Sequence, residues 1–293
     1  MTVSPVDTAN FAVVILTMGQ RPADLRRAIE SVLAQHDVNV DVVVVGNGWQ
    51  PVDLPAGVKA LHLRENLGIP AGRNAGVPLV AGELLFFLDD DASLPDELFL
   101  RTVADRFAND PKLGLIQPRV VDPTGLPAPR RWVPRLRVGD PGEPSAATAL
   151  WEGAVAIRRP LFAAIGGWPA EFFYAHEGID VVWRVWDEGF VPWYAADLTV
   201  NHPVIDPARH DVYYRMNARN RVWLARRNLP VVLEPFYVGT WVGLTLARVH
   251  DRAALKAWFQ GLGEGMRIKP VGRRAMKWRT VWAMTKAGRP PVI

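Results

Sequence analysis

The chain has 293 residues and nearly half of them are apolar, which favours a globular protein with a sizeable core over a disordered one. It has no cysteine, so a disulfide framework and thiolate metal sites are excluded, and oxygen and imidazole remain as metal ligands. The formal net charge of +4 is unevenly distributed, because residues 205–293 hold 17 Lys/Arg and 5 Asp/Glu (net +12) whereas residues 1–204 hold 17 and 25 (net −8).

The first part of the chain alternates apolar runs with amphipathic segments. Strands are predicted at Phe11–Thr17, Val40–Val45, Val58–Leu63 and Glu83–Leu88. Helices are predicted at Ala23–Ala34 and Pro70–Val80, and a further helix is expected to begin near Pro95. Alternation of this kind predicts an α/β fold with a mostly parallel sheet flanked by helices.

The second part of the chain is less regular. Val121–Thr148 is rich in Pro, Gly and Arg and lacks periodicity, which predicts a long mobile loop that serves as a lid. Regular structure is expected again at Ala154–Ile157, at Pro160–Ile165 and in a helix near Ile179–Glu188. The remaining helices are predicted at Asp211–Asn228, Val231–Val249, Arg252–Gly261 and Arg273–Ala287.

The basic region, residues 205–293, places Trp241, Trp258, Trp278 and Trp282 among Arg and Lys. This composition suits docking at an anionic bilayer surface. A solvated helical face, core packing or a dimer contact are equally good interpretations. We expect no membrane-spanning helix, because the apolar stretch Pro235–Val249 is about 15 residues long and contains Arg248. The first ten residues also lack the pattern of a signal peptide.

Polar residues follow three of the predicted strands. Thr17 ends the first strand, Gly46–Gly48 follow the second, and Asp89–Asp91 follow the fourth. Ligands of open α/β sheets bind beyond the carboxyl ends of the strands. The three segments are therefore predicted to meet in one crevice.

The run Asp89-Asp90-Asp91 indicates a metal site. Residues i and i+2 of an extended segment point the same way, so Asp89 and Asp91 are expected to face one site together. Their mutual repulsion favours a cation, and Mg²⁺ and Mn²⁺ prefer oxygen ligands while leaving positions for phosphates. The alternative is an acidic turn that caps the following helix.

Three further places in the chain contain candidate functional residues. Arg64–Gly76 holds three glycines, which permit close approach to a ligand, and Arg73, which suits contact with a diphosphate; a turn-rich connector is the alternative. Glu177 and Asp180 lie at a predicted helix start, where Asp180 has a built-in partner at i+4, Arg184, and Glu177 is freer to act as a base. His202 is a candidate metal ligand, although a lone histidine is more often structural.

Taken together, these segments resemble the family 2 glycosyltransferases with the GT-A fold over about residues 11–204. The resemblance rests on the order of FAVVILT with Arg21, VVVVGNG, RENLGIPAGRNAG, FFLDDDA, the GGW at Gly166–Trp168 and the acidic motif that ends at Arg184. It implies a GT-A catalytic domain at residues 1–204, with a nucleotide-sugar half at about 11–120 and an acceptor half at about 149–204. Residues 205–293 would form a basic helical extension.

The resemblance also implies roles for individual residues. Asp89 and Asp91 match the DxD motif that carries a metal-bound diphosphate, and His202 matches the place of a third ligand to Mn²⁺ or Mg²⁺. Residues expected at the nucleotide sugar are Thr17, Arg21, Asn47, Asn66, Gly68, Gly72, Arg73, Asn74, Asp89 and Asp90. Residues expected at the acceptor are Trp151, Glu152, Trp168 and Arg184, with Glu177 or Asp180 as the base.

Two positions depart from the family pattern. Gly46 stands where the family commonly has an acid that contacts the nucleoside, so nucleoside binding is left to backbone groups, Asn47 or a residue elsewhere. Gly178 stands where the family commonly has the aspartate assigned as base. Glu177 is the preferred substitute and Asp180 the alternative.

The function implied is an inverting, metal-dependent transfer from a nucleotide-diphosphate sugar, with UDP- or dTDP-sugars favoured, to a hydroxyl of a glycan or polyprenyl-linked acceptor. We expect a cytoplasmic protein, at the inner face of the membrane if the basic region binds lipid, and no nucleic-acid partner. One rival is a nucleotidyltransferase, which the glycine-poor turn TMGQRP disfavours. A second is a non-catalytic glycan- or membrane-binding module, supported by Gly46 and Gly178.

Overall fold

The computed structural model describes residues 8–134, 140–204 and 213–292. Its strands are β1 (Ala9–Thr17), β2 (Val38–Asn47), β3 (Lys59–Leu63), β4 (Leu84–Asp89), β5 (Leu113–Val121), β6 (Ser145–Ala146), β7 (Ala154–Arg158) and β8 (Val191–Asn201). Its α-helices are α1 (Pro22–Leu33), α2 (Ile69–Gly76), α3 (Phe99–Asn109), α4 (Arg159–Ala164), α5 (Glu177–Asp187), α6 (Tyr213–Asn228), α7 (Glu234–Arg248), α8 (Arg252–Arg267) and α9 (Trp278–Lys286).

The described strands form one sheet in the order β3-β2-β1-β4-β7-β5-β8-β6. Strands β3, β2, β1 and β4 are parallel, β7 runs antiparallel to both β4 and β5, and β8 is parallel to β5. The predicted α/β fold with a mostly parallel, helix-flanked sheet is therefore confirmed. Strand β7 is the reversal that joins the two halves of the sheet.

The register of the central strands brings the predicted crevice together. Thr17 pairs with Gly46 across β1 and β2, and Leu16 pairs with Asp89 across β1 and β4. The carboxyl ends of all three strands consequently lie side by side. This confirms that Thr17, Gly46 and Asp89 converge, as the sequence predicted.

Apolar side chains cover both faces of the sheet. On one face Val13, Val44 and Phe86 pack with residues of α1 and α3. On the other, Val14 and Phe87 pack with residues of α5 and α6. Strand segments such as Phe11–Ile15 are buried on both faces of the sheet. Their sequences are therefore continuous apolar runs and do not alternate apolar with polar residues.

Several predicted boundaries were wrong. Strands β5 and β8 were not predicted, the helix expected near Pro95 begins at Phe99, and the last helix begins at Trp278 instead of Arg273. The segment Val121–Thr148, predicted as a lid, contains a short 3-10 helix at Arg130–Trp132 and the strand β6. Of the predictions made for these regions, residues 135–139 of the lid and residues 211–212 of the helix that contains α6 lie outside the described residues.

Helix α6 connects the basic region to the rest of the chain. Asn220 is fully buried and donates hydrogen bonds to the carbonyl oxygens of Phe172 (2.9 Å), Tyr174 (2.7 Å) and Ala175 (2.8 Å). These bonds hold the segment that leads into α5. The division of the chain at residue 204 stays a prediction.

The four tryptophans of the basic region divide into two pairs. Trp241 and Trp258 are buried, whereas Trp278 and Trp282 are 52% and 63% exposed. Core packing therefore accounts for the first pair and not for the second. In the ranges that the structure describes, no helix combines the length and apolar character needed to span a membrane.

Candidate active site

A cavity of about 730 Å³ lies beyond the carboxyl ends of the central strands. Its lining includes Arg21, Asp89 and Asp91 from that edge of the sheet, Trp151–Gly153 from the approach to β7, and Glu177 from the start of α5. The predicted crevice and the predicted acidic motif thus open into the same space. His202, just past β8, closes one side of the cavity.

Asp89, Asp91 and His202 form a three-residue cluster of ligand atoms. One ligand atom of each lies within 4.8 Å of the others. Asp89 ends β4, Asp91 is two residues further on, and His202 is brought beside them because Ser93 and Asn201 bridge the two segments by backbone hydrogen bonds of 2.9 and 3.0 Å. Two carboxylate oxygens and an imidazole nitrogen suit Mn²⁺ or Mg²⁺.

Arg21 and Thr17 neutralise the carboxylates on the β1 side. Arg21 forms ion pairs with Asp91 and with Asp90 (2.8 Å), and the Thr17 hydroxyl donates to Asp90 (2.6 Å). Burial nevertheless raises the pKa of Asp90 to about 6. The Arg21 side chain is 37% exposed, so a bound cation can replace it at Asp91 without disturbing the core.

Asp91 and His202 perturb each other. Their side chains make a contact of 3.0 Å between His202 Nε2 and Asp91 Oδ1. Burial favours a higher pKa for Asp91, but the bond from His202 and the charges of His202 and Arg21 bring it below the usual value. Burial favours a lower pKa for His202, but Asp91 and Asp89 raise it above the usual value. In this state the histidine is held as a proton donor to Asp91.

Arg73 forms an ion pair with Asp89 from within the protein interior. Its side chain is 2% exposed, and its Nη2 lies 2.6 Å from Asp89 Oδ1. Trp168 packs beneath it, with the guanidinium carbon 5.2 Å from the ring centroid. The predicted contact of Trp168 with an acceptor is not supported, because Trp168 is 2% exposed and packs in the core against Phe87 and Phe162.

The Arg64–Gly76 loop is held by Asn47 at the end of β2. The Asn47 amide donates to Asn66 (2.8 Å) and to the Gly68 carbonyl (3.2 Å), and its oxygen accepts from the Leu67 amide (2.8 Å). Asn47 is buried with these partners, which fits a role in shaping the loop better than the predicted contact with nucleoside. Gly68 has φ of +84°, a conformation that glycine adopts without strain.

The two remaining loop residues of the prediction face the protein. Asn74 exchanges hydrogen bonds with the backbone of Trp168, at 2.8 and 3.0 Å. A Cβ at Gly72 would lie 2.5 Å from a methyl carbon of Leu16. Gly72 therefore packs α2 against β1 and Asn74 ties α2 to Trp168, so a direct contact with the donor is not supported by these positions.

Gly46 has a steric reason to lack a side chain. A Cβ there would lie 1.9 Å from the carbonyl oxygen of Trp49. The chain folds back on itself directly after β2, so an acid at this position would not fit. This explains the first departure from the family pattern.

Two further carboxyl side chains, Glu152 and Glu177, line the cavity. Glu152 Oε1 accepts a hydrogen bond of 2.8 Å from the Gly178 amide. Burial and the neighbouring Glu177 raise the pKa of Glu152 to about 8, against the charge of Arg73. Burial likewise raises the pKa of Glu177, which is 3% exposed.

Asp180 and Arg184 are interior residues. Asp180 is fully buried and bound by Arg184 (3.0 Å), Arg227 (3.1 Å) and Asn228 (2.6 Å). Neither Asp180 nor Arg184 lines the cavity. The structure therefore does not support Asp180 as the base or a contact of Arg184 with the acceptor. It shows instead the i,i+4 ion pair between these two residues that the sequence also predicted.

Residues from the predicted lid complete the cavity wall. Trp132 is buried and its ring packs against His202 (5.3 Å between centroids) and Trp151 (6.0 Å). Trp151 also packs edge-on against His202, at 4.8 Å. Trp132 was not predicted as a site residue. It lies in a segment without periodicity, so the sequence does not indicate where its side chain packs.

The cavity has a cationic rim. Arg130, Arg131, Arg248 and Arg289 come from three distant parts of the chain and all line it. Arg130 and Arg289 lie close together, because burial and the positive charge of Arg130 both lower the pKa of Arg289. The Arg-rich composition of Val121–Thr148 and the net charge of +12 in residues 205–293 were the sequence signals for this rim, but they did not indicate which arginines take part.

Comparisons with known proteins agree with this geometry. The family model described as glycosyl transferase family 2 matches residues 12–163, just over half of the chain. A curated relative, an uncharacterized protein of Haemophilus influenzae, is 39% identical over 56 residues, which are 19% of this chain and 30% of that protein. The match thus spans less than a third of the length of that relative.

Three solved structures share the fold. S. aureus TarS 1-349 has a TM-score of 0.61 at 14% identity and covers 88% of this chain and 80% of that chain. GalNAc-T7 with UDP, GalNAc and Mn²⁺ has a TM-score of 0.63 at 14% identity (98% and 59%). The mannosyltransferase PcManGT of Pyrobaculum calidifontis, in complex with GDP-Man and Mn²⁺, has 0.56 at 14% identity (98% and 78%). At these identities the likeness establishes the GT-A fold alone.

Proposed function

The chain belongs to glycosyl transferase family 2, and from that premise we propose that it transfers the sugar of a nucleotide-diphosphate sugar to an acceptor hydroxyl with inversion at the anomeric carbon. The observation that carries the proposal is the convergence of Asp89, Asp91 and His202 on one wall of the cavity. These residues, with their oxygen and imidazole donors, would hold Mn²⁺ or Mg²⁺. A divalent cation bound there offsets the negative charge of a departing nucleoside diphosphate.

The donor is proposed to lie along the carboxyl ends of β1, β2 and β4. Thr17 and Arg21 border this edge, and Asn66 lies beside Asn47 on the loop that Asn47 holds. Arg21 is free to move from Asp90 and Asp91 to a phosphate, because its side chain is partly exposed. We favour a UDP- or dTDP-sugar, and the UDP named with GalNAc-T7 is in keeping with this preference.

The acceptor is proposed to enter on the side of Trp151 and Glu152. A cavity carboxylate removes the hydroxyl proton as the oxygen attacks the anomeric carbon, with Glu177 as the candidate from the sequence and Glu152 as its neighbour. Trp132 and Trp151 exclude water from the site, which matters because hydrolysis competes with transfer.

The cationic rim supports an anionic acceptor. Arg130, Arg131, Arg248 and Arg289 suit a phosphate group, as a polyprenyl-linked or phosphate-bearing glycan acceptor would present. The exposed Trp278 and the net charge of +12 in residues 205–293 support docking at an anionic membrane surface. Such docking would bring a lipid-linked acceptor to the rim.

A thermal-shift screen tests the donor assignment. Nucleotide sugars with UDP, dTDP and GDP are each added with Mn²⁺, with Mg²⁺ or with a chelator, and the matching donor is expected to raise the melting temperature only with metal present. The donor that scores is then assayed for release of its nucleoside diphosphate. Release of pyrophosphate would instead favour a nucleotidyltransferase. No nucleotide binding in any condition would favour the non-catalytic module.

A further inference from the structure

Glu152 occupies the space beside a residue that has no side chain. A Cβ at Gly178 would lie 2.5 Å from Glu152 Oε1, 2.8 Å from its carboxyl carbon and 2.7 Å from a methyl carbon of Leu150. The Glu152 carboxylate therefore fills the volume that any side chain at the second position of α5 would need. Gly178 and Glu152 fit together as a pair, and each determines what the other can be.

The surroundings of Glu152 suit a group that alternates between charged and neutral forms. Its Oε1 accepts from the Gly178 amide in the first turn of α5, where the helix dipole favours negative charge. Its side chain is partly exposed to the cavity that also holds Asp89, Asp91 and His202. Glu152 is therefore accessible from the cavity, and the bond from the Gly178 amide fixes the position of its carboxylate.

Glu177 lies in contrasting surroundings. It is 3% exposed, and its Oε2 has no hydrogen-bond partner among the described residues. Burial of a charged carboxylate is costly. Glu177 is thus less accessible to a substrate than the partly exposed Glu152.

We propose that Glu152 is the general base that accepts the proton of the acceptor hydroxyl. The Gly178 amide positions its carboxylate. In the step, the hydroxyl oxygen forms a bond to the anomeric carbon and its proton passes to Glu152. The bond from the anomeric carbon to the diphosphate oxygen breaks, and that oxygen keeps the electron pair. The inference rests on the proposed function, since it concerns the same transfer.

The electrostatics agree with the geometry. The titratable and charged groups that face Glu152 are Glu177 from α5, Arg73 from α2 and Tyr174 from the segment before α5. Burial and Glu177 bring the pKa of Glu152 to about 8, and a base whose pKa lies near the working pH is the most efficient. Burial raises the pKa of Glu177 as well.

The test compares two isosteric variants with a surface control. E152Q retains the acceptor oxygen for the Gly178 amide but is expected to lower kcat at least ~100-fold while metal-dependent donor binding, measured by calorimetry, is unchanged. E177Q is expected to lower kcat by less than E152Q does. E30Q, on the exposed side of α1, controls for the loss of a carboxylate. Donor hydrolysis is assayed in parallel, with water as the acceptor.

The pH profile separates a base from a structural role. Wild-type kcat is expected to rise with pH through a limb near 8 that E152Q lacks and E177Q retains. An infrared titration of the carboxyl bands without metal provides a readout besides activity, and the band that titrates near pH 8 is expected to be absent from E152Q.

Two results would overturn the assignment. One is a loss of kcat in E177Q that equals or exceeds the loss in E152Q, and the other is a limb near pH 8 that persists in E152Q. Failure of the proposed function looks different, because the wild-type protein would then bind no nucleotide sugar with Mn²⁺ and would release no nucleoside diphosphate.

Discussion

Two groups of carboxyl side chains line the same cavity, and their surroundings differ in charge compensation. Asp89 and Asp91 are each paired with an arginine, Arg73 and Arg21, and the pKa of Asp91 is lowered despite burial. Glu152 and Glu177 have no ion pair among the described residues, and burial raises the pKa of both. Different surroundings of this kind suit different roles. The carboxylates paired with arginines suit a bound cation, and the group without ion pairs suits proton transfer.

The largest expected effect comes from removing a carboxylate from the first group, Asp89 and Asp91. Asp91→Asn removes one metal ligand and its contact with His202, and we expect Mn²⁺-dependent nucleotide binding and kcat to fall by more than ~100-fold, since loss of an outer partner of a ligand alone costs about 10–100-fold. Calorimetry with Mn²⁺ and the donor measures it. Glu97→Gln, an exposed acid just past the same strand, is the control. Normal Mn²⁺ binding by the Asn variant would contradict the metal assignment.

The next effect tests Arg73, whose positive charge acts on both groups of carboxyl side chains. Arg73→Met removes the partner of Asp89 and the positive charge that lowers the pKa of Glu152 and Glu177. We expect a loss of about 3 kcal/mol in the free energy of unfolding, measured in urea, because Arg73 is buried. The pH limb of kcat should also move to higher pH.

A matched control for this variant is Arg101→Met. It breaks a more exposed i,i+4 pair with Asp105 (3.0 Å) and should cost no more than ~0.5 kcal/mol. Equal losses for the two variants would show that burial of Arg73 contributes nothing to its pairing.

A smaller effect is expected from a side chain that crowds Glu152, in the second group. Gly178→Ala places a methyl group 2.5 Å from Glu152 Oε1, and the carboxylate must shift. We expect kcat to fall by up to about 100-fold, as for small misplacements of reacting groups, with Mn²⁺ binding unchanged. Gly239→Ala, where a Cβ meets nothing within 4 Å, should leave kcat unchanged and stabilise α7 by ~1 kcal/mol. A fully active Gly178→Ala enzyme would argue against a fixed Glu152.

The last expected effect concerns stability and not activity, because it is a pH dependence of unfolding. The pKa of Glu152 rises on folding from its ordinary value to about 8, so its contribution is complete below the ordinary value and is lost as the pH rises through about 8. The melting temperature of the wild type should therefore fall relative to that of E152Q between about pH 5 and about pH 9. Calorimetric scans across that range without metal measure the difference, and parallel curves would mean that Glu152 is not perturbed.

The elements that the sequence predicted well are those with a strong local pattern. Phe11–Thr17 and Glu83–Leu88 are continuous apolar runs and lie within β1 and β4, apart from the first residue of the second run. Strand β5 contains Gly114 and Pro118, and its pairing with β8 is irregular at both places, so neither strand shows a clean period. The antiparallel insertion of β7 between β4 and β5 has no local signal, because strand order is decided by long-range pairing.

At the site, the sequence by itself determined what depends on spacing of a few residues. Asp180 meets Arg184 because they are one helical turn apart. Asp89 and Asp91 share a site as their spacing predicted, although the turn that follows β4, and not an extended segment, brings them together. Tertiary structure alone decided which carboxylates are compensated by arginines. Glu152 and Gly178 are 26 residues apart and belong to different elements, yet one fills the space that the other leaves. Burial and partner placement, which shift pKa values, arise only when the sheet and α5 pack together, so the choice of proton acceptor was decided there.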